Sequence, residues 1–177
     1  VSKIDYLAEI GALALASRIR RLLQRMHADG ERVYRDLKFD FKPKWFPVLH
    51  LLSGRSPLAV TEIARLMCVS HPSMIATVDE LNSAGLVQSR QSSSDGRLRE
   101  LSLTEKGKQL CRELLPVWEA FRIAGEEVDK EGGNDFLRAI GKLETSLERT
   151  SMDERIMAQL EVVKTQKRKR LHNSKRR

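Results

Sequence analysis

The stretch LAVTEIARLMCVSHPSMIATVDELNSAGLVQSRQSSSDGRLRELSLTEKGKQL, residues 58–110, decides the fold. It reads as a short helix, a tight turn, a second helix and a two-stranded hairpin. The first helix is expected to start near Thr61, whose hydroxyl suits an N-cap, with Glu62 at the positive end of the peptide dipoles. Ile63, Ala64, Leu66 and Met67 then face inward. After a turn at Cys68 and Val69, Ser70 is the natural cap of the second helix, and Pro72 falls in its first turn, where a missing N–H costs nothing. Met74, Thr77, Val78 and Leu81, spaced i, i+3, i+4 and i+7, define the buried face. By elimination, Ser70, His71, Ser73, Ala76 and Glu80 face outward. Gly85 is the expected left-handed stop, and Leu86 closes back on the helix end. Strands over 86–91 and 97–103 follow, joined by SSSDG, with Leu101 and Leu103 alternating inward. Thr104 caps a long helix that starts at Glu105.

Outward from this unit the chain is helical. A first helix is predicted from about residue 3 into the twenties, on the stripe Ile4, Leu7, Leu15, Ile19, Leu22, Leu23 and Met26. Asp29-Gly30 either ends it or bends it, since Val33, Tyr34 and Leu37 keep the period. Pro43 breaks the run, and a short helix spans about 45–52. The helix from Glu105 carries Leu110, Leu114, Val117, Trp118, Phe121 and Val128, with a kink expected at Pro116. EGGN interrupts, Asn134 is expected to cap again, and Phe136, Leu137, Ile140, Leu143 and Leu147 begin a last helix that Ile156, Met157 and Leu160 extend. The fold class is mainly α with a small β wing.

The chain has 177 residues, 41% of them hydrophobic and 32% charged, which describes a helix-rich globular protein able to bury a core. No apolar run approaches the roughly 18 residues a membrane helix needs, so no membrane partner is expected. Residues 4–15 contain Asp5 and Glu9 and lack a basic flank and cleavage site, so they do not read as a secretion signal. The first residue is Val, so the start given need not be the original one. Two cysteines, Cys68 and Cys111, make no disulfide framework, and a cytoplasmic location is expected. Cys68 is expected to pack beside its turn, and Cys111 in the core. The net charge of +8 is unevenly placed: residues 164–177 hold eight Lys and Arg and no acid, and the remaining 24 basic residues equal the 24 acidic ones. The tail lacks the apolar content to pack, and solvated disorder is its default reading.

Chemistry of turnover has little to stand on. There is no nucleophile–base–acid set and no phosphate-cradling glycine loop. His27, His50, His71 and His172 are scattered away from carboxylates and thiols at metal-ligand spacing. An enzyme is not expected, nor a cofactor or metal.

The segment from about Thr61 to Gly107 resembles the winged helix-turn-helix of the MarR family of bacterial transcription regulators. The residues that carry the likeness are VS-H-P-S at 69–73, DELNSAGLV at 79–87, Asp95-Gly96-Arg97 and LTEKG at 103–107. The flanking helices fit in number and order, so the resemblance covers roughly 1–148. It implies a DNA-binding lobe at about 43–104 between dimerisation helices at about 3–37 and 105–148, with a helical extension at 149–163 and a basic tail at 164–177. It also implies a homodimer on a pseudo-palindromic operator in double-stranded DNA, nucleoid-associated when bound. A small aromatic or anionic effector held between the dimer helices and the lobe would modulate it, and repression is the family's commoner sign. WFPVLHLLS at 45–53 resembles a subgroup in which such a domain often precedes an acetyltransferase.

A recognition helix presents its first turn to base edges and phosphates. Ser70, His71 and Ser73 supply hydrogen-bonding groups there beside Pro72, and Ala76 suits a thymine methyl. Arg97 at the wing tip has the reach and fixed charge for a narrow minor groove, with Asp95 orienting it or shaping the turn. Arg55, Arg90 and Arg99 are candidate phosphate contacts. Where many family members carry a basic residue on this helix, the chain has Ala76, then Asp79 and Glu80, and residues 71–84 hold no Lys or Arg. That departure keeps a second reading open: a winged regulatory or protein-interaction module without specific DNA readout. Trp45, Phe46, Trp118 and Phe121 line a ligand cavity or serve as core and dimer contacts. The tail either is solvated or attracts nucleic acid without specificity.

Overall fold

The computed structural model describes residues 5–91 and 99–174, with side chains described as far as Lys167. The chain divides into two compact units, Val1–Leu115 and Pro116–Arg177. The first unit opens with a four-residue helix, α1 (Tyr6–Glu9), then a 3-10 turn, Gly11–Ala14, and the long α2, Leu15–Asp36. The single helix expected from residue 3 is therefore interrupted. Gly11 has φ +54, a left-handed value that glycine adopts at little cost and that stops an α-helix. The Asp29-Gly30 pair, in contrast, lies within α2, and Gly30 is buried there.

A 3-10 turn, Pro43–Trp45, leads into α3, Phe46–Gly54. Tyr34, Phe41 and Trp45 form a buried aromatic step, with ring centroids 4.5 Å apart for Tyr34–Phe41 and 6.1 Å for the edge-on Phe41–Trp45 pair. Two residues, Leu58–Ala59, form β1, followed at once by α4, Val60–Leu66. The helix thus begins before Thr61. Ala59 holds the cap position without a side-chain bond, because the strand feeds straight into the helix. Next come α5, His71–Ser83, and the strands β2, Val87–Gln91, and β3, Arg99–Leu103.

The sheet has three antiparallel strands in the order β1-β3-β2, one more than expected. Leu101 is the hub of the register, opposite both Leu58 and Ser89. The core of this unit gathers Leu49, Leu52, Ile63, Leu81, Val87, Leu101 and Leu114, all essentially inaccessible to solvent. The Cys111 thiol lies in it, 3.8 Å from the Leu49 carbonyl oxygen, and burial raises its pKa.

Helix α6, Glu105–Glu131, runs on through Pro116 into the second unit. There α7, Phe136–Arg149, and α8, Met152–Ser174, follow. Asn134 does not cap α7. It sits at φ +62 after Gly133, and the Asp129 carboxylate accepts from the Leu137 amide instead, at 3.1 Å. Nor does one last helix run through Ile156: the chain turns extended at Thr150 and restarts. Ser151 and Glu154 form a reciprocal capping box, the Ser151 amide donating to Glu154 Oε2 (2.9 Å) and the Glu154 amide to Ser151 Oγ (3.4 Å). Arg155 reaches back to donate to the carbonyls of Ser146 and Thr150, satisfying the end of α7. The backbone of the sequence tail is helical to Ser174 rather than irregular. Among the described residues, no helix is long and apolar enough to cross a membrane.

Candidate nucleic-acid interface

The helix-turn-helix is built by local bonds. At the end of α4 the amides of Met67, Cys68 and Val69 close back on Ile63, Arg65 and Ala64, with Cys68 at φ +53. Cys68 is exposed there, which corrects the expectation that it packs. The Ser70 hydroxyl accepts from the Ser73 amide at 3.4 Å and lies 2.9 Å from the Ser73 hydroxyl. Ser70 is thus the cap, as its sequence position implies. Met74, Val78 and Leu81 turn inward, and Thr77 is half-buried, its hydroxyl donating to the Ser73 carbonyl. Ser70, His71, Pro72, Ser73 and Ala76 are all exposed, at the cap and first turns of α5.

Glu80 departs from that face. It is half-buried, and its carboxylate accepts from Lys44 Nζ at 2.5 Å, Lys42 Nζ at 3.2 Å and the Trp45 indole at 3.4 Å. Hydrogen bonds from Lys44 and then Lys42 hold its carboxyl at a pKa of about 2. Lys42 also lies 5.2 Å from the centroid of the Trp45 ring. The acid that makes α5 look negative is therefore neutralised by two cations from the segment before α3. Sequence reasoning missed both lysines, and a partner 36 or 38 positions away leaves no local signal.

The far end of α5 is joined to the wing and to α6. Gly85 takes φ +70, and the Leu86 amide closes on the Leu81 carbonyl at 3.0 Å. The Thr104 hydroxyl donates to the Gly85 carbonyl at 2.7 Å and accepts from the Gly107 amide at 3.0 Å. Lys106 Nζ donates to the Ala84 carbonyl at 2.8 Å. A Cβ on Gly107 would lie 2.0 Å from the Leu86 carbonyl oxygen, so the close approach requires glycine. These contacts explain why LTEKG has its spacing: one residue caps, another caps the neighbouring helix, and a third makes room.

Of the proposed cations, Arg55 is exposed at the end of α3, and Arg90 and Arg99 are exposed on the wing. Arg90 pairs with Glu100, and Gln91 with Arg99. Because neighbouring positions alternate across a pleated strand, Arg90 and Arg99 project to opposite faces. Arg99 Nε donates to Ser89 Oγ at 3.1 Å. Asp95 and Arg97 lie outside the described residues.

Residues 39–98 match the model of the MarR family. The fold is similar to that of MepR from S. aureus, solved with DNA: TM-score 0.65, 17% identity, 75% of this chain against 96% of that one. It is also similar to MosR from M. tuberculosis, likewise solved with DNA (TM-score 0.64, 21% identity, 78% of this chain and 98% of that one). A third likeness is to the regulator BldR from Sulfolobus solfataricus (TM-score 0.58, 23% identity, 81% and 99%). The chain thus carries, over residues 39–98, a segment that matches the MarR family model, set in a winged-helix fold similar to that of these regulators.

Proposed function

We propose that the chain is a sequence-specific DNA-binding transcription regulator, a homodimer that occupies a pseudo-palindromic operator and acts as a ligand-modulated repressor. The observation that carries this reading is the open first turn of α5: Ser70, His71 and Ser73 stand exposed on a capped helix N-terminus, with no acid between them. Such a turn offers hydrogen-bonding groups to base edges while its dipole favours phosphate. Arg55, Arg90 and Arg99 supply phosphate contacts, and Arg97, beyond the described residues, is assigned to the minor groove with Asp95 beside it. The clamp on Glu80 weakens the rival reading as a protein-interaction module, which leaned on an acidic helix.

Dimerisation is supported by the stripe Leu15, Ile19, Leu22, Met26 and Val33 on α2, continued by its C-cap Leu37, each residue at least 38% exposed in the single chain. Part of that stripe also floors an open groove of about 1100 Å³, rimmed by Arg18, Arg21 and Arg25. Asp5 also lines this groove and holds Arg21 at 2.7 Å, which leaves Arg18 and Arg25 beside the apolar floor to suit a small aromatic anion as effector. The site would act in the cytoplasm, on the nucleoid. Selecting bound fragments from random duplex DNA tests the central claim. A recovered motif with two inverted half-sites about one helical turn apart is expected. Recovery of no preferred motif overturns it.

A further inference from the structure

The winged lobe leaves the whole net charge of the protein unused. Residues 164–177 carry eight Lys and Arg without one acid, while the rest of the chain is neutral. The backbone is helical through Ser174, so this charge is borne largely on the second half of α8. We propose that this half-helix is a second duplex-binding element, one that grips the phosphate backbone without reading sequence. The inference rests on the DNA-binding reading of the lobe for its setting beside an operator.

Three observations favour a duplex over other partners. Lys167, Arg168, Lys169 and Arg170 occupy successive positions. At about 100° per residue they cover the full circumference of a helix. Any side laid against protein would therefore bury a cation, which is costly without a paired charge. A polyanion accepts such a rod in any rotation. Second, the apolar residues of α8 lie earlier, at Met152, Ile156, Met157, Leu160, Val162 and Val163, and Leu171 is the one aliphatic residue of 164–177. An interfacial membrane helix needs an apolar face along its basic stretch, and this one is divided along its axis instead. Third, residues 71–84 contain no Lys or Arg, and two of the lysines nearest in contact, Lys42 and Lys44, are already bonded to Glu80. Within the lobe, phosphate neutralisation, which supplies most non-specific affinity, is left to Arg55, Arg90 and Arg99, and the second half of α8 offers five further cations.

The test uses the full chain and a full-length variant with Lys164, Lys167, Arg168, Lys169 and Arg170 changed to Gln, a residue of similar helix propensity. Binding is titrated on the selected duplex and on a scrambled one from 50 to 200 mM salt. If all five side chains of each chain meet phosphate, the variant's log–log salt slope falls by about 4.5 per chain, or about 9 for the homodimer, at roughly 0.9 per contact. Affinity should drop by a similar factor on both duplexes, with the selected motif unchanged. A variant with Lys164, Lys167 and Lys169 changed to Arg should keep the slope. Unchanged slope and affinity in the Gln variant overturn this proposal and leave the lobe reading intact. Loss of all binding by that variant, when neither protein ever showed a motif, keeps the tail assignment and sinks the lobe reading. Tighter binding of the full chain to phosphatidylserine vesicles or to single-stranded RNA than to duplex overturns the proposal.

Discussion

At the scale of single residues, Glu80 changes what α5 means. By sequence it adds to Asp79 and makes the helix look hostile to DNA. In the folded chain Lys44, Lys42 and Trp45 hold it, and the pair of lysines more than balances its charge. The same bonds make a pH prediction. A carboxyl lowered from about 4.5 to about 2 on folding stabilises the native state above its unfolded value, and that contribution disappears as pH falls through its folded value. Glu80→Gln should therefore unfold at lower denaturant than the parent at pH 7. The gap between their midpoints should narrow steadily below pH 4.5, and a gap independent of pH would refute the clamp. Ser70 and Gly85 were legible in advance, because a cap and a left-handed stop are chosen by the residues immediately around them. Glu80 was not, because its partners are brought to it by tertiary structure.

At the scale of elements, the join between α5, the wing and α6 depends on one missing side chain. Gly107 packs where a methyl group would overlap the Leu86 carbonyl oxygen, a backbone atom that also accepts from the Thr104 amide at 3.1 Å. Gly107→Ala should cost about 1–3 kcal/mol, the range for overpacking a tight site. Thermal unfolding checks it, and a variant as stable as the parent would show that the helix can shift away. Element boundaries failed in the sequence where competing signals were present. Ser151 and Glu154 are a readable capping box, yet the apolar period continuing through Ile156 argued for one helix, and the box prevails. The β1 strand escaped notice because two residues, Leu58 and Ala59, carry no alternation. It exists because β3 offers them a ladder at Leu101 and Glu100.

At the scale of the whole molecule, the basic residues in excess gather at one end of the chain, and apolar side chains stay exposed along α2. The α2 stripe remains open to solvent, and a second copy is the partner we assign to it. Leu22 is 41% exposed and Met26 51% exposed, so replacing both with Glu should leave the single-chain fold largely intact. The parent should sediment as a dimer at micromolar concentration and the double variant as a monomer of unchanged helix content, with weakened operator binding. A monomeric parent would contradict the symmetric docking scheme. The order of the helices was visible from periodicity, whereas the breaks at Gly11 and Thr150 and the helical state of the tail were not. Composition marks residues 164–177 as unable to pack, but a helix started by the Ser151 box carries its backbone onward to Ser174.

The left-handed bend between α4 and α5 has a practical corollary. Its Cys68 thiol is open to solvent, while the chain's other thiol, Cys111, is shut inside the lobe. A maleimide dye added under native conditions should therefore attach at one place, the elbow of the motif assigned to base reading. Fluorescence from that elbow would then report duplex docking in real time, with no engineered handle.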